Sequence, residues 1–519
     1  MSKEIELKLF VPRTALQTLL DHPLIAAARA CGEPALLEST YFDTGTLDLY
    51  RRGIALRTRR IDNETLLQTV KSGGSNFAGL SERGEWEVPF MGAFNFESVS
   101  DKRIEDILRH FSPDLRPVFL TQFKRQLYRY AGGHGETGFD VEIAIDSGEI
   151  ICGDQRCPIS EIELELTEGK PACLWLIAKA LATTVPVLPD ARSKAERGYG
   201  LVRREPVSSQ TAGTIQLDKT DTPVEAFYRI AMDCIHQWQT NALLAVEDRW
   251  SARIDDSGPA ERLIDVVHQF RVSQRRLRSA LNIFGPILAK PWRKKWRKEI
   301  RKNTIKLGLT RDLDVVENSL LPVLSSTDNE NRERLIKLKQ ALDNERIKAC
   351  LNAEEHLAAA DQGRCIIDFV VDLESVLKGD FDVGPGVTAF AAKRLDRLVK
   401  DVKKTFENSI LSEPETLHEL RIAGKQLRYG VEFFSSLFTE MKAYRKRLTR
   451  LQNKLGRLHD IDMAEARLFA IAGDDPVLRE AAAYVVGWYR RDYEKIARGA
   501  LDDCAKLLKT PVPWREAER

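Results

Sequence analysis

Apolar and polar residues alternate at the start of the chain, where Ile5, Leu7 and Leu9 interleave with Glu4, Glu6 and Lys8. This is the period of a β-strand whose two faces meet different surroundings. Short runs of the same kind follow at 36–43, 55–60, 66–71, 84–89, 122–130, 139–145 and 159–166. Helical periodicity interrupts them at 13–20 and 171–183, and Gly73-Gly74-Ser75 and Gly132-Gly133 read as flexible loop tips. After Arg204 the texture turns to Ser, Gln, Thr, Gly and Asp through Thr222, a linker composition. From Pro223 onward the period is helical nearly throughout, including a long charged stretch at 330–361. The expected organisation is a β-rich domain over 1–204, a linker over 205–222 and an all-α domain over 223–510.

The polar strand faces are charged in a pattern. Glu4, Glu6 and Lys8 share a face, and Arg57 and Arg59 alternate with Leu56 and Thr58. Lys71 follows Val70, Arg83, Glu85 and Glu87 oppose Trp86 and Val88, and Glu161, Glu163 and Glu165 oppose Ile162, Leu164 and Leu166. Arg125 lies in a strand-like run, and Lys194 follows a Pro-Asp turn in Ser193-Lys194-Ala195-Glu196. For any one strand, a solvated outer face accounts for the charge. Three same-face glutamates in a row repel unless cations stand opposite, however, and the set supplies both signs. A closed antiparallel barrel with its polar faces turned inward accounts for all of them together. Lysines and arginines in such a lumen match a polyanion bearing several phosphates. Clustered carboxylates match a hard divalent cation, Mg²⁺ or Mn²⁺, which takes oxygen ligands and bridges phosphates.

The 519 residues suffice for two or three domains with a core in each. Because 79 Lys and Arg stand against 77 Asp and Glu, overall charge says nothing about partners and only its local distribution can. The eight cysteines are scattered with no C-x-x-C pair, which fits incidental thiols in a reducing compartment. No basic-then-apolar leader opens the chain and no apolar run approaches a membrane span, so a cytoplasmic protein without a membrane partner is expected.

The ordered set Glu4-x-Glu6-x-Lys8, Arg57/Arg59, Lys71, Arg83-x-Glu85, Arg125, Glu161-x-Glu163-x-Glu165 and Ser193-Lys194 resembles the CYTH family of triphosphate tunnel metalloenzymes. The resemblance covers about the first 200 residues. It implies an eight-stranded antiparallel barrel whose tunnel binds a triphosphate. By that likeness Lys8, Arg57, Arg59, Lys71, Arg83, Arg125 and Lys194 would grip phosphates. Glu4, Glu6, Glu163 and Glu165 would hold one or two metals and orient the attacking water, with Glu85, Glu87 and Glu161 as further candidates.

The helical half repeats itself. His268-x-x-Arg271-x-x-x-Arg275-x-x-Arg278 recurs as His418-x-x-Arg421-x-x-x-Lys425-x-x-Arg428, an offset of 418 − 268 = 150. Leu307-Gly308-Leu309-Thr310-Arg311-Asp312-Leu313-Asp314 recurs as Leu455-Gly456-Arg457-Leu458-His459-Asp460-Ile461-Asp462, an offset of 455 − 307 = 148. Two motifs in one order at nearly one offset indicate an internal duplication, with helix enough in each copy for a four-helix bundle. Spacings of 0, 3, 7 and 10 fall within an arc of roughly 80° on a helix, so each His and its three cations form one stripe. Lys298, Lys302 and Lys306, and then Lys446, Arg450 and Lys454, form a second stripe before each Leu-Gly. A solvated basic face is the ordinary outcome for such runs, but a stripe kept in both copies and joined to a histidine favours an anion-binding surface.

This half resembles the CHAD domain, a histidine-bearing all-α domain frequently found after CYTH, over 223 to about 509. The resemblance implies two pseudo-symmetric bundles with a basic central surface that binds inorganic polyphosphate. A single histidine in each His-x-x-Arg stripe gives no nucleophile–base pair and no metal-ligand spacing, so His268 and His418 are expected to bind phosphate or orient the motif.

The leading expectation is a metal-dependent triphosphatase that converts tripolyphosphate to pyrophosphate and phosphate, with long-chain polyphosphate held by the helical domain. The alternatives are a polyphosphate-binding scaffold with a vestigial tunnel, or the same barrel acting on thiamine triphosphate or a nucleoside triphosphate, or as an adenylate cyclase. Trp292-Arg293-Lys294-Lys295-Trp296-Arg297-Lys298 interleaves aromatics with bases, a texture also found in nucleic-acid binders. Trp292 and Trp296 stand at i, i+4 and are expected to anchor their helix, so nucleic acid is not the expected partner.

Overall fold

The structure is a computed structural model that describes residues 3–62, 65–77, 80–133, 138–204, 208–247, 254–255, 258–259, 261–327, 329–357, 359–377, 386–411 and 413–518. Its first part is built on strands β1 (Lys3–Phe10), β2 (Arg29–Ala30), β3 (Ala35–Asp43), β4 (Ile54–Ile61), β5 (Thr65–Phe77), β6 (Leu80–Pro89), β7 (Arg116–Gly132), β8 (Phe139–Cys152), β9 (Gln155–Glu168) and β10 (Leu188–Pro189). Neighbours run β1-β6-β5-β4-β3-β7-β8-β9, all antiparallel, and β9 pairs back onto β1. Eight strands thereby close a barrel, with β2 and β10 as short additions. Closure leaves no open edge along this circuit.

Strand alternation sorts the two faces of the wall. Leu7, Leu9, Val141, Ile143, Ile162 and Leu164 are fully buried on the outer face of β1, β8 and β9, where α4 (Ala172–Leu181) covers part of it. Leu56, Val70 and Trp86 form another outer cluster with Ile104 and Leu108 of α3 (Lys102–Phe111). The short helices α1 (Leu16–Leu20) and α2 (Pro23–Ala27) follow β1. One end of the interior is apolar: α5 (Lys194–Arg203) brings Tyr199 against Tyr41, Phe119, Phe123, Ile150 and Ile159. Gly198 permits this approach, since a Cβ there would stand 2.1 Å from the Phe119 ring. A Ser193–Glu196 capping box starts α5 and fixes Lys194 at its first turn.

The expected loop tip at Gly73-Gly74-Ser75 is instead part of β5. Between Ser72, opposite Gly84, and Ser75, opposite Glu82, the strand gains one residue on its partner. The glycines thus mark a β-bulge, which glycine readily accommodates. Gly133, at φ 72, does sit just past the end of β7.

The second part is helical: α6 (Pro223–Glu247), α7 (Glu261–Ile283), α8 (Lys290–Lys306), α9 (Gly308–Ser326), α10 (Asn329–His356), α11 (Ala359–Leu377), α12 (Val387–Glu407), α13 (Pro414–Phe433), α14 (Met441–Ala472), α15 (Pro476–Arg490) and α16 (Tyr493–Leu508). The repeated motifs fall on α7 and α13. The first copy breaks at Leu307 into α8 and α9, whereas the second continues through Leu455 as the single helix α14. Leu313, Val316 and Leu320 of α9 share a core with Leu338 of α10, Leu468 of α14 and Val485 of α15. Trp296 is 2% exposed within α8, and Trp292 meets the Phe227 ring, as expected of helix anchors.

The chain divides into two compact units, one of Met1–Ser208, Ala242–Leu244 and Ala358–Ser375, the other of Ser209–Asn241, Ala245–Leu357 and Val376–Arg519. Residues 208–218 form no helix or strand, but Ile215 and Leu217 are buried, and Leu217 N–H donates to Ser436 Oγ at 2.9 Å.

Candidate active site and anion-binding surface

The barrel encloses a cavity of about 940 Å³, and its lining includes Glu4, Glu6, Lys8, Arg57, Arg59, Lys71, Glu85, Glu87, Arg125, Glu163, Glu165 and Lys194. Strand register decides which charges meet. Glu6 on β1 stands opposite Glu165 on β9, and Glu165 stands opposite Glu142 on β8, so three carboxylates form one row across three strands. Lys8 stands opposite Glu163, Lys71 opposite Glu85, and Glu4 opposite Arg83. Arg83 therefore has its backbone in β6, while its side chain lies outside the described residues.

The lumen has a compensated pole. Ligand oxygens of Asp146, Glu161 and Glu163 all lie within 4.8 Å of one another, and four cations surround them. Lys194 Nζ is 2.7 Å from Asp146 and 2.9 Å from Glu163 and also contacts Glu161. Arg125 grips Asp146 through two bonds of 2.7 and 2.6 Å and reaches Glu163 as well. Lys8 Nζ is 3.3 Å from Glu163, and Arg197 pairs with Glu161 at 2.8 Å. Burial alone would raise the Glu163 carboxyl, but Lys194, Lys8 and Arg125 hold it well below the ordinary range. The same balance, against burial, raises Lys8 through Glu163 and Glu161.

Elsewhere the charges are less balanced. Burial, with Glu142 and Glu6 adding their repulsion, pushes Glu165 up to about 6. Burial, opposed by Lys71 and reinforced by Glu85 and Glu6, pushes Glu4 up to about 8. Lys71 Nζ bridges Glu4 at 3.0 Å and Glu85 at 2.9 Å, and the cations hold Glu85 down to about 2 despite its burial. Arg59 donates to Ser39 Oγ at 3.1 Å, and no carboxylate is within ion-pairing distance of it among the described residues. Burial and the neighbouring Arg57 and Arg125 push it down to about 9. Arg57 donates to Tyr41 Oη at 3.4 Å and lies 3.8 Å from Glu85. Glu87 is exposed and accepts a 2.8 Å bond from Thr69.

A row of mutually repelling carboxylates in one cavity with a half-buried guanidinium that meets no carboxylate among the described residues suits a divalent cation together with an anion. The oxygen donors of Glu4, Glu6, Glu142 and Glu165 match the preference of Mg²⁺ or Mn²⁺. The sequence reading did not single out Glu142 or Asp146. The parity of 139–145 contains that signal, because Glu142 alternates with Val141 and Ile143.

In the helical unit the two stripes converge. Arg275 of the first copy lies close enough to Arg421 and Lys425 of the second to depress both after burial has done so. Lys425, facing Arg421, Arg275 and Arg428, is pushed down to about 7. Burial, then Arg311, Arg275 and Arg271, push His268 down to about 4. The His418 and His459 rings are 5.0 Å apart, and burial with Arg421 pushes His459 down to about 3. Arg271 donates to the Thr304 carbonyl at 3.0 Å. Buried Nε atoms of Arg271, Arg275, Arg278, Arg421 and Arg428 have no hydrogen-bond partner among the described residues. Buried donors left in this way are costly unless a ligand or water meets them.

The second stripe does not gather in the same way. Lys298, Lys302, Lys306, Lys446 and Arg450 are exposed, and Lys302 pairs with Glu299 at 2.9 Å. Lys454 turns to α16, 2.8 Å from Asp503 and 2.9 Å from the Gly499 carbonyl. On α8 it is Arg297 and Arg301 whose charges depress Arg278. Arg311, Asp312, His459 and Asp460, quoted only as part of the repeat, prove to border the basic centre.

Residues 2–199 match the CYTH domain family and residues 229–468 match the CHAD domain family. Among curated proteins, the inorganic triphosphatase of Haemophilus influenzae is 29% identical over 208 residues, covering 38% of this chain and 55% of that protein. The chain therefore spans about half the length of that relative. Among solved structures, the CHAD domain from the plant Ricinus communis is 25% identical with a TM-score of 0.49, covering 59% of this chain and 99% of that one. A Hippeastrum protein described as an adenylyl cyclase with a dominant triphosphatase activity is 23% identical with a TM-score of 0.29, covering 38% of this chain and 95% of that one. No helix among the described residues is long and apolar enough to cross a membrane.

Proposed function

For a chain made of a CYTH domain followed by a CHAD domain, we propose that the barrel hydrolyses a triphosphate, with inorganic tripolyphosphate as the preferred substrate, to pyrophosphate and phosphate. The observation that carries this reading is the pairing, in one cavity, of the Glu6–Glu165–Glu142 row with a half-buried Arg59 that has no carboxylate within ion-pairing distance among the described residues. Arg57, Arg59 and Lys8 bind the phosphate oxygens, with Arg125, Lys71 and Lys194 completing the basic lining and Arg83 a further candidate by the family resemblance. Anion binding relieves the mutual repulsion of Arg57, Arg59 and Arg125. Glu4, Glu6, Glu163 and Glu165, joined by Glu142, hold the metal and orient the attacking water. Mg²⁺ or Mn²⁺ bound there supplies neutralisation of the phosphate charge and Lewis-acid activation. The protein's own contribution is positioning and a fixed electrostatic field, and phosphoryl transfer asks little else of it.

In the helical unit, the converging stripes of His268, Arg271, Arg275 and Arg278 and of His418, Arg421, Lys425 and Arg428 hold long-chain polyphosphate. The unpartnered guanidinium nitrogens support this part of the reading. Phosphate release from tripolyphosphate, ATP, thiamine triphosphate and long-chain polyphosphate, measured with Mg²⁺ and with Mn²⁺, tests the whole. Tripolyphosphate should be turned over fastest and only with metal. A preference for an organic triphosphate would move the substrate, and no turnover of any of the four would leave only the binding role.

A further inference from the structure

The duplicated basic centre is not symmetric in its chemistry. At the two motif offsets, Arg275 of the first copy matches Lys425 (425 − 275 = 150), and Arg311 matches His459 (459 − 311 = 148). Four other pairs repeat without change, His268 with His418, Arg271 with Arg421, Arg278 with Arg428 and Asp312 with Asp460, while Leu309 is matched by Arg457 and Thr310 by Leu458. At the Arg275/Lys425 and Arg311/His459 positions the first copy has a guanidinium, which keeps its proton, and the second has a group able to release one.

The surroundings make that difference consequential. Lys425 stands one turn from Arg421 and from Arg428 on α13. Gln426 Nε2 donates to Ser279 Oγ at 3.1 Å and Arg276 pairs with Glu432 at 2.9 Å, which fastens α13 to α7 beside it. Arg275 on α7 and Asp460 on α14 thereby complete the charged surroundings of Lys425. Three cations thus press on it, and the one opposing carboxylate also lies among Arg421, Arg311 and Lys425. His459, beside His418 at 5.0 Å, faces Arg421 and Lys425. Burial first, and then these cations, keep a proton off the Lys425 amine, and an anion entering here neutralises the cations.

Resting on the polyphosphate reading above, we propose that the second copy is a proton-coupled grip: a polyphosphate chain seated between the copies draws a proton onto Lys425. Binding then strengthens as pH falls through neutrality.

Calorimetry of the full chain with long-chain polyphosphate, in metal-free solution at pH 8, tests this in two buffers of different ionisation enthalpy. The variant Arg421→Glu gives the baseline for any chain held elsewhere. The wild type should take up about one proton per bound chain and bind up to about fivefold more weakly at pH 8 than at pH 7. Lys425→Arg should bind without uptake and with a flat pH profile, whereas Arg275→Lys should increase the uptake. Binding by the wild type without uptake overturns the proposal and leaves the polyphosphate reading standing, whether or not the variants fold. Uptake undiminished in a folded Lys425→Arg also overturns it. Failure to bind at both pH 6 and pH 8 rejects the polyphosphate reading and this proposal together.

Discussion

Glu6 and Glu165 stand directly opposite one another in the barrel wall, with Glu142 next in the same row. Like charges so placed destabilise a sheet unless something between them is positive. Glu165→Gln removes one of the three. In metal-free solution it should leave the barrel as stable or more so, by about 0.2–1 kcal/mol, read from its melting temperature. The same substitution should weaken Mn²⁺ binding by about tenfold or more in calorimetry. Loss of stability in metal-free solution would contradict this account of the row.

Arg59 has no carboxylate within ion-pairing distance among the described residues. An uncharged Arg59→Met should fold with unchanged or improved stability, because a half-buried charge without a carboxylate partner is removed. Its kcat/KM for tripolyphosphate should fall by about 100-fold, since a donor aimed at the phosphate is lost. Stability and steady-state kinetics on one preparation decide the matter.

Acid should act on the compensated pole. Asp146 and Glu163 hold protons more weakly in the folded barrel than in the open chain. Their contribution is therefore full above the ordinary carboxylate range and is lost as pH falls through the folded values. In metal-free solution the barrel's unfolding midpoint should rise as pH falls from 7 to about 5, because Glu4 and Glu165, held above the ordinary range, take up protons in the folded barrel. It should drop below about pH 4. Lys194→Met, which strips the shared cation from three carboxylates, should cost about 3–5 kcal/mol at pH 7. That loss should shrink in acid, where the carboxylates take up protons instead.

Arg275 and Arg276 are sequence neighbours with opposite duties. Arg276 is 1% exposed and pairs with Asp233 at 2.8 Å and Glu432 at 2.9 Å, joining α6, α7 and α13. Arg276→Ala should destabilise the helical unit by about 3–5 kcal/mol. Arg275→Ala should cost less than about 1 kcal/mol of stability. It should instead weaken polyphosphate binding and lower the dependence of log affinity on log salt by about one unit.

Much of the barrel was legible because strand parity is a hard constraint. A side chain's face follows from counting, so Glu4, Glu6, Lys8, Arg57, Arg59 and Glu165 could be assigned together to one interior. What counting cannot give is register. The division between the compensated pole around Glu163 and the repelling row through Glu165 depends on which residues oppose Lys8, Lys194 and Glu142 across neighbouring strands. The bulge at Gly73-Gly74-Ser75 was hidden for a similar reason, because glycine pairs signal both loops and bulges until the partner strand is known. In the helical half the repeat exposed both histidine stripes, and their convergence follows from tertiary packing of α7 against α13. The lysine stripes on α8 and α14 had the same periodic signature but are exposed or turn to other helices, as Lys454 does to Asp503.

The central claim is metal-dependent hydrolysis of triphosphate in the barrel. The most direct measurement is phosphate release from tripolyphosphate by the wild type and by the Glu4→Gln/Glu6→Gln double variant across a Mg²⁺ titration. The account predicts activity that rises with metal in the wild type and falls by about 100-fold or more in the double variant at every metal concentration. Full activity in the double variant, or wild-type turnover indifferent to Mg²⁺ and to a chelator, would contradict it.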